Sequence, residues 1–329
     1  MNIKILLILA SALLITPNLF FKIPLAEAST KVNLFQITSD STQQKDPIVY
    51  KNIVAYDSLS DIWGYKLDTK TNFSILEKPG QQYLTGFFKN LILYDDFNET
   101  TSHDSVRLYN MATKEDTLIA GEPGSRSGGV TNGRYVMYIE GGACGQIHAY
   151  NLKKKTDAVI SPTGCGPLRV FDDTVIWLNG APGGTNIYGY DLERKRSMDI
   201  VTDPGFQESA NIFEDNVVYL EYITGSLGDY NAIKMKNIRT GKKKTIYEST
   251  TSTLQWPAIS DKYVVWSEST AQHVNGVKGA NLNTGEVFEV QPQGPHQNSH
   301  TMLSIWGNTA SWMSFRTGNG DIYGAVLKK

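Results

Sequence analysis

Five carboxylates stand just beyond aromatic residues at places that recur along the chain: Asp57, Asp95, Glu140, Glu221 and Glu268. Carboxylates accept hydrogen bonds from hydroxyls and ligate hard cations, so a broken ring of them suits a sugar or a cation. The same groups also serve a repeat by pairing with loop amides or an arginine. Recurrence with the repeat favours that second role. A less repetitive set is Gln82, Tyr83, Arg126, Gln207, Gln255, Trp256 and the pair His296 and His300. Amide, aromatic and guanidinium groups around a funnel would hold a glycan or a peptide, with plain solvated loops as the alternative. His296 and His300, with His273 or Glu268, lack a compact ligand motif, and no metal is expected. Nucleotide, zinc and serine-hydrolase motifs are absent from the sequence, so no cofactor is expected.

Three basic triplets also occur: Lys153-Lys154-Lys155, Arg194-Lys195-Arg196 and Lys242-Lys243-Lys244. They are either solvated turns or one patch for an anionic surface polymer or lipid.

A repeated strand must position all of these groups. Aligned on Ile62, Val106, Ile147, Ile187, Ile233, Val277 and Ile322, seven similar segments recur at spacings of 44, 41, 40, 46, 44 and 45 residues. A steady period of that size indicates an array of one supersecondary unit. Before each such strand lies a run ending in an aromatic: Tyr56, Tyr94, Tyr138, Trp177, Tyr219, Trp266 or Trp312. Period-2 alternation turns that aromatic to one sheet face, where it reads as core. Shorter innermost strands come first, such as Ile48-Val49-Tyr50 and Leu168-Arg169-Val170-Phe171, joined to the aromatic runs by Asn, Gly and Asp turns. A fourth strand follows six of the seven, as in Phe73-Ser74-Ile75. The seventh is Phe35-Gln36-Ile37-Thr38 near the other end, which would pair with Asp321–Leu327 and leave no open edge. The expected fold is all-β: a seven-bladed β-propeller of four-stranded antiparallel blades, in which an N-terminal strand completes the C-terminal blade.

The strings Asp61-Ile62-Trp63-Gly64-Tyr65, Asn186-Ile187-Tyr188-Gly189-Tyr190-Asp191-Leu192 and Trp256-Pro257-Ala258-Ile259-Ser260-Asp261 resemble TolB-type propeller repeats and those of microbial cell-surface proteins. The resemblance implies a fold and an extracytoplasmic setting far more than an activity.

In such a blade the loop from second to third strand and the link between blades share one face. That topology brings Cys144 and Cys165, the two cysteines, within disulfide reach. It also puts the acids on one face and the basic triplets on the other. Residues 1–28 read as a signal peptide, with Ala26-Glu27-Ala28 before Ser29, so residues 29–329 form the single mature domain, not membrane-spanning after cleavage. A retained anchor is the rival. The net charge of −2 gives no bulk argument for nucleic acid. The sequence therefore suggests a secreted or cell-surface, non-enzymatic scaffold for an unknown protein or glycan ligand. A polysaccharide lyase or glycoside hydrolase is the alternative.

Overall fold

The computed structural model describes residues 29–181, 184–223, 230–270, 275–292, 300–315 and 318–328. Every regular element among them is a β-strand, and no helix there is long and apolar enough to cross a membrane. The expected signal segment and His273 and His296 lie outside the described residues.

After β1 (Lys31–Gln36), the first sheet takes β2 (Gln44–Tyr50), β3 (Ile53–Ser58), β4 (Asp61–Lys66) and β5 (Thr71–Leu76) in order. The next takes β6 (Gln81–Phe88), β7 (Leu91–Asn98), β8 (His103–Asn110) and β9 (Glu115–Ala120). An eleven-stranded sheet follows, starting with β10 (Arg126–Thr131), β11 (Tyr135–Glu140), β12 (Cys144–Asn151) and β13 (Val159–Phe171). It continues through β14 (Thr174–Ala181), β15 (Gly184–Asp191), β16 (Arg196–Val201), β17 (Phe206–Phe213), β18 (Asn216–Ile223), β19 (Tyr230–Asn237) and β20 (Lys243–Ser249). The last two sheets are β21 (Ser252–Ile259), β22 (Tyr263–Thr270), β23 (Asn275–Asn281) and β24 (Val287–Gln291), then β25 (His300–Trp306), β26 (Thr309–Ser314) and β27 (Asp321–Lys328) with β1.

Two expected strands merge in β13. Its first half pairs with β12 and its second half with β14, so the chain reverses inside the element near Cys165. Gly164, Gly166 and Pro167 stand at that reversal.

The N-terminal strand does close the C-terminal sheet. Phe35 lies opposite Gly324, and Ile37 N donates to Ile322 O at 2.8 Å. The Phe35 ring covers Gly324 so closely that a Cβ there would meet it at 2.5 Å. Phe73 covers Gly64 and Phe288 covers Gly279 in the same way, at 2.6 and 2.7 Å. β1 is thus the structural equivalent of β5 and β24, even though it lies at the far end of the chain.

The recurrent aromatics form the contacts between sheets. All seven are buried, from Tyr56 to Trp312. Tyr94 packs with Ala55 and Ile62 of the preceding sheet, and Trp312 with Val265 and Val277. The first strands touch in the cyclic order β2, β6, β10, β13, β17, β21, β25 and back to β2. At the last junction Val49 N donates to Ser304 Oγ at 3.0 Å.

Candidate functional site

The first strands surround an axial cavity of about 700 Å³, to which all seven contribute. Each slips register once against its second strand, between Lys45 and Ile48 in β2 for example, and between Gln255 and Ala258 in β21. A bulge of this kind bends the strand and re-aims one side chain. Here it puts Asp46, Ser209, Trp256 and Met302 at φ of 54°, 49°, 54° and 55°, all lining the cavity. Left-handed backbone at Trp or Met costs on the order of 1 kcal/mol or more per residue, so the surrounding sheets must hold it in place.

The cavity ends in an aromatic floor. Tyr50, Phe88, Phe171, Phe213 and Trp306 are the last residues of their strands. Their ring centroids lie 5.4 Å (Tyr50–Phe88), 4.5 Å (Tyr50–Trp306), 4.5 Å (Phe171–Phe213) and 6.2 Å (Phe213–Trp306) apart. Sequence reasoning missed this floor, although the signal was present: an aromatic just before the first turn in five of the seven repeats.

Of the expected funnel residues, Tyr83 and Trp256 line the cavity. Lys45 sits over the Tyr83 ring at 4.7 Å. Gln82 and Gln207 are buried, each donating from Nε2 to a carbonyl just before its strand, Pro79 O and Asp203 O, both at 3.2 Å. Gln255 is half-buried beside the bulge. Arg126 pairs with Glu140 at 2.6 Å instead of facing the axis. His300 opens β25 opposite Ser314, and its side chain lies outside what is described. Among the described residues, no three His, Cys, Asp or Glu gather to hold a metal.

The five repeated acids fall into two sets, divided by strand parity. Asp57 and Asp95 come one residue after the aromatic and face the following sheet. There Asp57 Oδ1 accepts from Leu84 N at 2.8 Å and Asp95 Oδ2 from Gly128 N at 2.9 Å. Glu140, Glu221 and Glu268 come two residues after it, on the aromatic's own face, and meet a basic side chain from the third strand. Glu140 meets His148 at 3.0 Å, Glu221 meets Lys234, and Glu268 meets Lys278 at 2.5 Å. His148 also reaches Asp157 at 2.7 Å and stacks on Tyr138. A solvent-facing acidic ring is not what these contacts build. Alternation along a strand separates positions that merely look adjacent in sequence.

Burial sets the electrostatics near the axis. It pushes the Asp57 carboxyl well above the usual range and raises Asp46, whose carboxyl interacts directly with that of Asp57; Lys45 opposes both shifts. Burial pushes Asp95 up to about 7, opposed by the Gly128 N–H and reinforced by Asp104.

Cys144 and Cys165 are disulfide-bonded, with Cα atoms 4.1 Å apart. They are direct cross-strand partners on β12 and β13. All three basic triplets are exposed on third-to-fourth-strand hairpins. Arg194 pairs with Asp191 at 2.8 Å, Arg196 approaches it at 4.0 Å, and Lys243 pairs with Asp203. Lys153, Lys154, Lys155, Lys195, Lys242 and Lys244 form no ion pair among the described residues.

No protein-family model matches the chain, and no curated protein sequence does. Solved structures do resemble it. An oligogalacturonate lyase in complex with manganese aligns at a TM-score of 0.62 and 14% identity, over 92% of this chain and 95% of that one. The β-propeller domain of the Trilobed protease from Pyrococcus furiosus aligns at 0.55 and 12%, over 75% and 81%. The fold is a β-propeller. A prolyl endopeptidase aligns at 0.57 and 11%, over 86% of this chain, which spans less than half (46%) of that protein. Identities this low carry the propeller fold and nothing finer.

Proposed function

We propose that the chain is a seven-bladed β-propeller that binds a small polar ligand, a glycan or peptide fragment, in its axial cavity outside the cytoplasm. The blade count rests on four separate four-stranded sheets plus three more within the eleven-stranded one. That sheet divides at the reversal in β13 and at the single Thr185–Phe206 pair between β15 and β17. Kinship with TolB-type repeats rests on the strand strings alone. The extracytoplasmic setting draws on the signal-like residues 1–28 and on the disulfide.

One observation carries the binding reading: a cavity of about 700 Å³ whose wall is held in strained, bulged conformations at Asp46, Ser209, Trp256 and Met302. That volume lies within the ordinary range for small-ligand pockets. A glycan and peptide array on the mature protein, with calorimetry on each hit, tests it. Hits that bind a Trp256→Ala variant as tightly as the parent would place the binding elsewhere.

The Asp46–Asp57 pair favours a second reading, a lyase or hydrolase acting on an extracellular polymer. A carboxyl whose pKa is raised by burial is suited to general-acid work. Product analysis on array hits separates the two readings. New chain ends that disappear with Asp46→Asn mark an enzyme, and unchanged ligand marks a binding protein.

A further inference from the structure

Among the described residues lining the axial cavity, Arg169 is the one Lys, Arg or His. It belongs to the second half of β13, opposite Ile176 and two residues above Phe171, on the same strand face as that floor residue. The other first strands place Ile48, Gly86, Val130, Asn211, Ala258 and Ser304 at its level, opposite the corresponding residues of their second strands. None of these is charged and most are small. Five of the six also line the cavity, Ala258 being packed in the core beside it, so one guanidinium stands alone among neutral residues at that level.

Its bonding is incomplete. Nη1 donates to the carbonyl of the adjacent Leu168 at 2.9 Å, and no ion pair joins Arg169 to a described carboxylate. The acids that share the cavity lining are Asp46 and Asp172, and neither pairs with it. The side chain is half-buried, and the protein packed around it pulls its pKa down to about 10, with no carboxylate countering the shift. A guanidinium has five N–H donors in a fixed fork, matched to the two oxygens of a carboxylate. Holding it partly desolvated without a counter-charge is costly, and a bound anion lowers that cost. A purely structural arginine would be expected to meet a carboxylate, as Arg107 meets Asp116 at 3.0 Å and Arg126 meets Glu140 at 2.6 Å.

We propose that Arg169 is the anchor for a carboxylate on a small ligand that enters the axial cavity and rests on the aromatic floor of Tyr50, Phe88, Phe171, Phe213 and Trp306. This deepens the binding reading above and rests on it. The ligand class is a small carboxylic acid with an apolar or ring-shaped body, since one charged fork stands above a cluster of tilted and edge-on rings.

Benzoate is a direct probe, with benzamide as its neutral isostere and phenyl phosphate as the competing anion. By calorimetry on the mature protein, benzoate should bind at least about tenfold more tightly than benzamide, the usual margin for a charge-assisted pair. Arg169→Gln should abolish that preference. Ligand-free Arg169→Met should unfold at or above the parent's midpoint, because a half-buried guanidinium with no carboxylate partner has been removed. Three results overturn the proposal: equal benzoate affinity in the parent and in Arg169→Gln, no benzoate binding by the parent at its solubility limit, or a lowered midpoint in Arg169→Met. Arg169-dependent binding of phenyl phosphate but not benzoate overturns the carboxylate assignment. Neutral array hits that bind the parent and Arg169→Gln alike would leave the cavity reading standing while this inference falls. If no ligand of any charge enters the cavity, both fall.

Discussion

Asp57 Oδ1 accepts the Leu84 amide hydrogen at 2.8 Å, and so the second strand of one blade holds the first strand of the next. The carboxyl is buried, and burial raises its pKa well above normal. Asp57→Asn keeps an acceptor and should change stability little. Asp57→Ala leaves a buried N–H unpaired and should cost about 1–3 kcal/mol in urea unfolding. Equal effects of the two substitutions would show that the bond contributes nothing.

Asp95 makes the equivalent contact to Gly128 and gives stability a pH dependence. Its folded pKa, about 7, lies above the unfolded 3.8, so between those values the folded state binds more protons. Its contribution is therefore complete below about pH 4 and is lost as pH rises through 7. Asp95→Asn should flatten that slope, and its advantage over the parent at pH 8 relative to pH 5 should be on the order of a few kcal/mol. Parallel pH profiles for the two proteins would contradict the assignment.

Lys278 and Glu268, 2.5 Å apart on adjacent strands of one blade, invite a double-mutant cycle. Lys278→Met leaves the buried Glu268 carboxylate without its cation and should destabilise by about 3–5 kcal/mol. Adding Glu268→Gln should restore most of that loss. Simple additivity of the two changes in denaturant unfolding would show that the residues are not coupled.

The disulfide closes a loop with a sequence separation of 21. Replacing both Cys144 and Cys165 by Ser should lower stability by about 3 kcal/mol in the chain-entropy view. Alkylation of the native protein followed by mass measurement should find no reactive thiol, and two labels per chain would refute the bond.

The basic hairpins supply a surface prediction. Lys153, Lys154, Lys155, Lys195, Lys242 and Lys244 are exposed and have no ion pair among the described residues. Binding to an anionic polymer should weaken steeply with salt and vanish when all three hairpins are reversed to glutamate. Binding that survives the reversal would mark these triplets as ordinary solvated turns.

The sequence alone determined most of the strands, their order and the pairing of the first with the last. Apolar alternation is local, and a recurring aromatic such as Tyr94 or Trp266 needs only its own strand to reveal its face. Even the return of Phe35 to the last blade follows from a missing partner there. Cys144 and Cys165 were legible because antiparallel neighbours fix which ends meet.

What faces the axis was decided by tertiary structure. Bulges in six of the seven first strands shift register by one residue, and in a period-2 element such a shift exchanges the faces, so Trp256 lines the cavity while Gln82 and Gln207 are buried at strand ends. The same parity divides Asp57 and Asp95 from Glu140, Glu221 and Glu268, although all five follow an aromatic. The solitude of Arg169 is a property of other strands. It exists because Ile48, Gly86, Val130, Asn211 and Ser304 line the cavity at that level and carry no carboxylate.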